Sequence, residues 1–153
     1  MTKVTAEERF WAKVDQTGDC WIWKSAIANG YGVFSLGGSN KQAHRVSWTW
    51  ANGELPSSLK VDHICFNKLC VRPAHLRAVT HKQNLEHRRG PNSNNKSSRV
   101  RGVRRSGKYF SVTVGHNGKR IYGGTFDTLE EAAEQAAAIR AELFTHDDAQ
   151  LVS

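Results

Sequence analysis

The sequence predicts an α+β chain in two parts. A strand–loop–strand–helix (ββα) unit lies within residues 1–89, and a three-stranded antiparallel sheet packed on one helix follows it at 99–145. Three observations lead there. Residues 1–89 mix short helix and strand signals. The stretch 90–98, GPNSNNKSS, is polar, bears glycine and proline, and has no hydrophobic period, so it reads as a linker. Beyond it, alternating segments flank Asn117-Gly118, a strong hairpin signal, and lead into an alanine-rich amphipathic run.

Taken in order, Thr5 and Glu8 form a capping box, and Phe10, Trp11 and Val14 make an apolar stripe, which predicts a helix over 5–15 closed by Gly18. Residues 20–24 (CWIWK) and 31–36 (YGVFSL) read as strands, with GGSN at 37–40 as a turn. Residues 43–51 (AHRVSWTWA) predict a helix stopped by Gly53. A strand over 59–65, a loop over 66–74 and a strand over 75–79 come next. A helix capped by Thr80 then runs to about His87. After the linker, strands are predicted at 100–105, 109–116 and 119–126. A helix at 129–144 carries a second capping box, Thr128 with Glu131, and 146–153 reads as a tail.

The chain has 153 residues and a formal net charge of +8. That excess favours a polyanionic partner, because each phosphate neutralised releases condensed counterions. No stretch approaches the ~20 apolar residues of a membrane helix, which predicts a protein with no membrane partner. The first residues, MTKVTAEERFW, lack a secretory pattern, which predicts a cytoplasmic location. Three cysteines are an odd number for a secreted disulfide framework; in a reducing compartment they are thiols or metal ligands.

The informative constellation is Val61-Asp62-His63, His75-Leu76 and Asn84. A ββα arrangement puts Asp62 at a strand end and Asn84 one turn into the helix, where both can reach one divalent ion. Oxygen ligands suit Mg²⁺ or Mn²⁺ and leave room for phosphate oxygens and water. A neutral imidazole at His63 can take a proton from water near pH 7. Adjacent strand residues point to opposite faces, so the strand must bend for Asp62 and His63 to serve one phosphate.

Residues 43–88 resemble the HNH nucleases of phage homing-endonuclease type, whose fold is the ββα-metal (His-Me finger) unit, and the CWIW…GYG lead-in is typical of the same group. The resemblance implies that Asp62 and Asn84 bind the catalytic metal and that His63 is the general base. It also implies a phage-type origin, which would put the protein in the host cell cytoplasm. The family's central Asn, which holds the loop, is replaced here by His75. Group members with these cysteines also tend to carry the upstream Cys-Trp, which suggests Cys20, Cys65, Cys70 and His75 as a structural Zn²⁺ site. Three buried thiols packing as small hydrophobes is the alternative. His44 and Arg45 are candidates for a phosphate clamp, against a solvated helix face. The tryptophans 21, 23, 48 and 50 read as core more than as base-stacking platforms.

The segment 99–126 holds Arg99, Arg101, Arg104, Arg105, Lys108, Lys119 and Arg120 and no acid, whereas the helix and tail beyond carry seven acids and only Arg140. Such segregation describes a basic sheet face backed by an acidic helix. Alternation predicts Phe110, Val112 and Val114 inward, with Ile121 paired to Val114, and Tyr109, Ser111, Thr113, Arg120 and Tyr122 outward. Residues 101–143 closely resemble the ethylene-response-factor (APETALA-type) DNA-binding domain, on the RGVR, YGGTFDT and EEAA landmarks. By position that resemblance implies DNA contacts from Arg101, Arg104, Ser111, Thr113, Arg120 and Tyr122; Ser111 and Thr113 stand where longer polar residues are common.

Together these features predict a metal-dependent endonuclease in which 1–89 cuts and 99–145 docks on double-stranded DNA. A non-catalytic, sequence-specific DNA-binding regulator is the alternative. Monomer and dimer stay open, and with them nicking or double-strand cutting.

Overall fold

In a computed structural model the chain is described over residues 4–88, 90–91 and 93–144, so the expected tail at 146–153 lies outside the described residues. It divides into two compact units, Met1–His81 and Lys82–Ser153. Both mix helices with small antiparallel sheets.

The first unit opens with α1 (Ala6–Trp11), whose capping box is formed as expected: Glu8 N donates to Thr5 Oγ1 (3.1 Å) and Thr5 N to Glu8 Oε2 (2.7 Å). The helix is shorter than the apolar stripe suggested, because Val14 leaves it to pair across to Trp23. β1 (Val14–Asp15) and β2 (Ile22–Trp23) form that ribbon. β3 (Ile27–Ala28), β4 (Tyr31–Leu36) and β5 (Ser39–Gln42) make a meander. Its first turn is Asn29-Gly30, both at positive φ (52° and 81°), which suits a two-residue hairpin. α2 (Ala43–Asn52) ends at Gly53, whose φ of 91° excludes most side chains. β6 (Leu59–His63) pairs with β7 (Leu76–Thr80), a short 3₁₀ turn at Pro73–His75 leads into β7, and α3 (His81–Glu86) follows.

Aromatic rings fill the core. Phe10, Trp23, Phe34, Ala43, Val46 and Val71 are buried together, with Trp11, Trp21 and Trp50 packed against them. Phe10 meets Trp11, Phe34 and Trp50 edge-on at centroid distances of 4.9, 5.1 and 5.1 Å, a geometry worth about 0.5–1.5 kcal/mol per pair beyond burial. A Cβ on Gly32 would lie 2.5 Å from the Trp23 ring, so that close approach requires glycine. Trp48 is half-buried.

In the second unit β8 (Val103–Ser106), β9 (Tyr109–His116) and β10 (Lys119–Phe126) form a sheet in the order β10-β9-β8, packed on α4 (Leu129–Leu143). Ile121 is registered with Val114, as alternation requires. Val103, Val112 and Val114 bury against Ala132 and Ala136. β8 starts later than expected because the chain before it forms a stapled turn. Asn95 Nδ2 donates to the carbonyls of Val100 (2.7 Å) and Val103 (2.9 Å), and Ser98 Oγ donates to Val103 O (2.5 Å). The end of the stretch read as a linker is therefore bonded to the sheet.

Candidate metal centre and nuclease site

The site is assembled from the β6–β7 hairpin and β2. Trp23 N donates to Leu69 O (2.9 Å), Val71 N donates to Trp21 O (2.8 Å), and Ile22 bridges to Cys70. From α2, Ser47 Oγ donates to Val71 O (2.5 Å). These bonds lay residues 69–71 beside residues 21–23, which carries Cys20 to the loop holding Cys65, Cys70 and His75.

The ligand atoms of these four residues lie within 4.8 Å of one another. Cys20 Sγ and Cys70 Sγ are each 3.6 Å from His75 Nδ1. A tetrahedral zinc with ordinary Zn–S and Zn–N bonds sets that edge at about 3.5 Å. The other ring nitrogen, His75 Nε2, lies 3.5 Å from Asp19 Oδ2, and Asp19 is in turn held by Arg72 at 2.6 Å. A carboxylate behind a ligating imidazole fixes its orientation. The Cys65 thiol hydrogen-bonds the Cys70 sulfur, which pulls Cys70 down to about 4 and pushes Cys65 up; burial raises Cys20. One thiolate is thus already favoured, and a thiolate is what zinc binds. Three sulfurs and one nitrogen at tetrahedral spacing fit zinc and do not suit a hard cation such as Mg²⁺.

His63 ends β6, with Val61 and His63 buried and Asp62 between them less so, as alternation requires. The backbone of Ile64 donates to His75 O (2.9 Å), closing the hairpin end. Cys70 O lies 3.1 Å from His63 Nε2. A carbonyl only accepts, so Nε2 carries the proton and Nδ1 keeps its lone pair. Burial lowers the His63 pKa, partly offset by the Cys70 carbonyl, so the ring is neutral near pH 7. Asp62 stands opposite Arg77 in the ladder, and Arg77 Nε donates to its Oδ2 (3.2 Å).

Residues 41–86 match the family model of the HNH endonucleases. The matched stretch contains α2, β6, the cysteine loop, β7 and α3. The chain is also 30% identical over 63 residues to the uncharacterized gene 5.3 protein of Enterobacteria phage T3; the match covers 37% of this chain and 62% of that protein. No solved structure matches.

The remaining candidates divide. Arg45 is exposed on α2. His44 is only 3% exposed, its ring centroid is 4.5 Å from that of His63, and its Nδ1 has no hydrogen-bond partner among the described residues. Burial, then the neighbouring His63 and Arg45, depress its pKa to about 3. It is a neutral ring against His63, with no cationic charge to offer a phosphate. Asn84 lies on α3, within the second unit.

On the sheet, Arg104, Thr113, Arg120 and Tyr122 are exposed and Ser111 is half-buried. Register sets Arg104 beside Ser111 and Thr113 beside Tyr122. Arg101 is engaged elsewhere: its guanidinium donates to the carbonyls of Glu86 (2.8 Å), Arg88 (3.1 Å) and Leu85 (3.4 Å).

Sequence reasoning missed Asp19, Tyr31, Lys68 and Arg77. Arg77 follows from hairpin register once Asp62 is placed, and Asp19 from its adjacency to Cys20. Tyr31 stacks near His63 (6.1 Å) beneath the Lys68 ammonium, 5.3 Å from its ring, and no spacing rule announces that.

Proposed function

We propose that the chain is a metal-dependent DNA endonuclease that hydrolyses phosphodiester bonds, with His63 as general base and Asp62 and Asn84 as ligands of a divalent ion, Mg²⁺ or Mn²⁺. One observation carries this reading: a neutral His63, fixed in one tautomer by the Cys70 carbonyl, within the stretch that matches the HNH endonucleases. The Cys70 carbonyl holds the ring so that Nδ1 takes the proton of an attacking water. Arg77 orients the Asp62 carboxylate. When bound, the hard cation relieves charge on the phosphate and stabilises the leaving oxygen.

Cys20, Cys65, Cys70 and His75 hold a structural zinc in this reading, which makes the loop rigid enough to present Cys70 O to His63. Duplex DNA is the substrate, gripped by Arg104, Arg120 and the polar residues beside them on the exposed sheet face. Arg45 is the candidate for an added phosphate contact.

Nicking of supercoiled plasmid with Mg²⁺ or Mn²⁺ tests the proposal. Wild type is expected to relax or linearise the plasmid, and His63→Ala to slow cleavage by roughly 10²–10⁴-fold with DNA affinity retained. A wild-type protein that binds DNA and cuts with neither ion would overturn it in favour of a non-catalytic regulator.

A further inference from the structure

Within the second unit, α3 is not a free-standing helix. It has six residues, too few to be stable alone in water, so something else must hold it. Its last two carbonyls, and one just beyond it, converge on one side chain: Arg101, at the entry to β8, donates to Leu85 O and Glu86 O and to Arg88 O past the helix end. A planar fork with five N–H donors can bridge carbonyls in this way, and its charge suits the negative end of a helix.

Arg101 is itself fixed. Its guanidinium lies 5.1 Å from the Phe144 ring centroid, and Arg140, on α4, donates from Nη1 to Arg101 O (2.8 Å). The Glu86 side chain, only 5% exposed, also faces the end of β9, with Oε1 3.7 Å from His116 Nδ1, an approach too long for a hydrogen bond. The His116 ring stacks on Phe144, with centroids 5.8 Å apart. Lys82, one turn back on α3, completes the pair to Glu86 at 3.4 Å.

We infer that Arg101 and His116 are positioning residues for the helix that carries Asn84. The sheet-and-helix module thereby holds a metal ligand of the cutting site in place, and does more than tether the nuclease to DNA. The claim about α3 stands on contacts within the unit; its consequence for metal rests on the proposed role of Asn84. Arg101, expected from the sequence to meet DNA, makes these internal bonds.

The full-length Arg101→Lys variant separates the two roles, because lysine keeps the charge a phosphate needs but loses the planar fork whose two terminal nitrogens share these carbonyls. Amide hydrogen exchange is read over 83–88, together with the Mn²⁺ concentration for half-maximal cleavage and the DNA dissociation constant. The expected result is at least tenfold faster exchange at those amides, a Mn²⁺ requirement raised about tenfold, and DNA affinity within threefold of wild type. His116→Gln, which keeps a polar side chain but removes the imidazole, is expected to shift exchange the same way by a smaller factor. Unchanged exchange in both variants would overturn the inference. Faster exchange with an unchanged Mn²⁺ requirement would overturn the positioning of Asn84. If wild type cuts nothing, the endonuclease reading fails while the exchange data still decide whether α3 is held this way.

Discussion

Between Ile64 and His75 the chain turns back on itself with little apolar burial beyond Cys70 and Val71, whereas between Val103 and Phe126 it buries valines on alanines of α4. The first segment is held by backbone bonds to residues 21–23 and gathers four side chains that could ligate a metal, whereas the second is held by apolar contact and close helix–sheet approach. A loop that must present a carbonyl to an imidazole needs fixed positions more than bulk burial, and an ion supplies these where no core fits. A sheet whose valines bury on α4 needs no such staple. The two regions should therefore fail under different insults, and the optics separate them: all five tryptophans precede residue 51.

The largest effect expected is from metal removal. Purified protein should carry one zinc per chain. Stripping it, or making Cys70→Ser, should remove stabilisation on the order of 10 kcal/mol from the hairpin and collapse the tryptophan near-ultraviolet signal. The sheet's helical and strand signal should persist. Tryptophan spectra unchanged by a strong chelator would erase the contrast.

Next in size is Gly123→Ala. A Cβ there would sit 2.5 Å from Ile139 Cδ1 and 2.7 Å from Val112 Cγ1, so the sheet must part from α4. Loss of about 1–3 kcal/mol is expected in the second unit, read by urea unfolding in far-ultraviolet dichroism, with no shift of the tryptophan transition. A common shift in both transitions would show that the units unfold as one.

A smaller effect belongs to His44. Its folded pKa of about 3 lies below the ordinary imidazole value of 6.5, so the unfolded chain takes up the proton first. Stability is complete above the unfolded value and falls as pH drops below it. Between pH 7 and pH 5 this amounts to about 2 kcal/mol, and His44→Gln should remove that share of the tryptophan-detected slope. An identical slope in the variant would mean the ring protonates in place.

Much of this was legible in the residues. The Asn117-Gly118 turn, the alternation of Phe110 to Val114 and the two Thr–Glu capping boxes each depend on neighbours in sequence, so local chemistry determines them. The Cys20–Cys65–Cys70–His75 grouping was suggested by the resemblance to cysteine-bearing group members, and the fold brings the four side chains together. Asn29-Gly30 carried the same hairpin signal as Asn117-Gly118, but β3, the strand before it, has two residues and shows no period. The internal bonds of Arg101 were not legible, for a physical reason. Its charge and position fit a phosphate contact, and only the tertiary arrangement reveals three carbonyls within its reach. The neutrality of His44 likewise depends on burial by distant rings.

The claim on which the account turns is that Asp62 and Asn84 share one ion while His63 moves a proton. Mn²⁺ binding in the presence of uncleaved duplex, followed by electron paramagnetic resonance, addresses it directly. Asp62→Asn and Asn84→Ala should each weaken Mn²⁺ binding at least tenfold, and His63→Ala should bind Mn²⁺ as wild type does while failing to cut. Equal Mn²⁺ affinity in all four proteins would contradict the account.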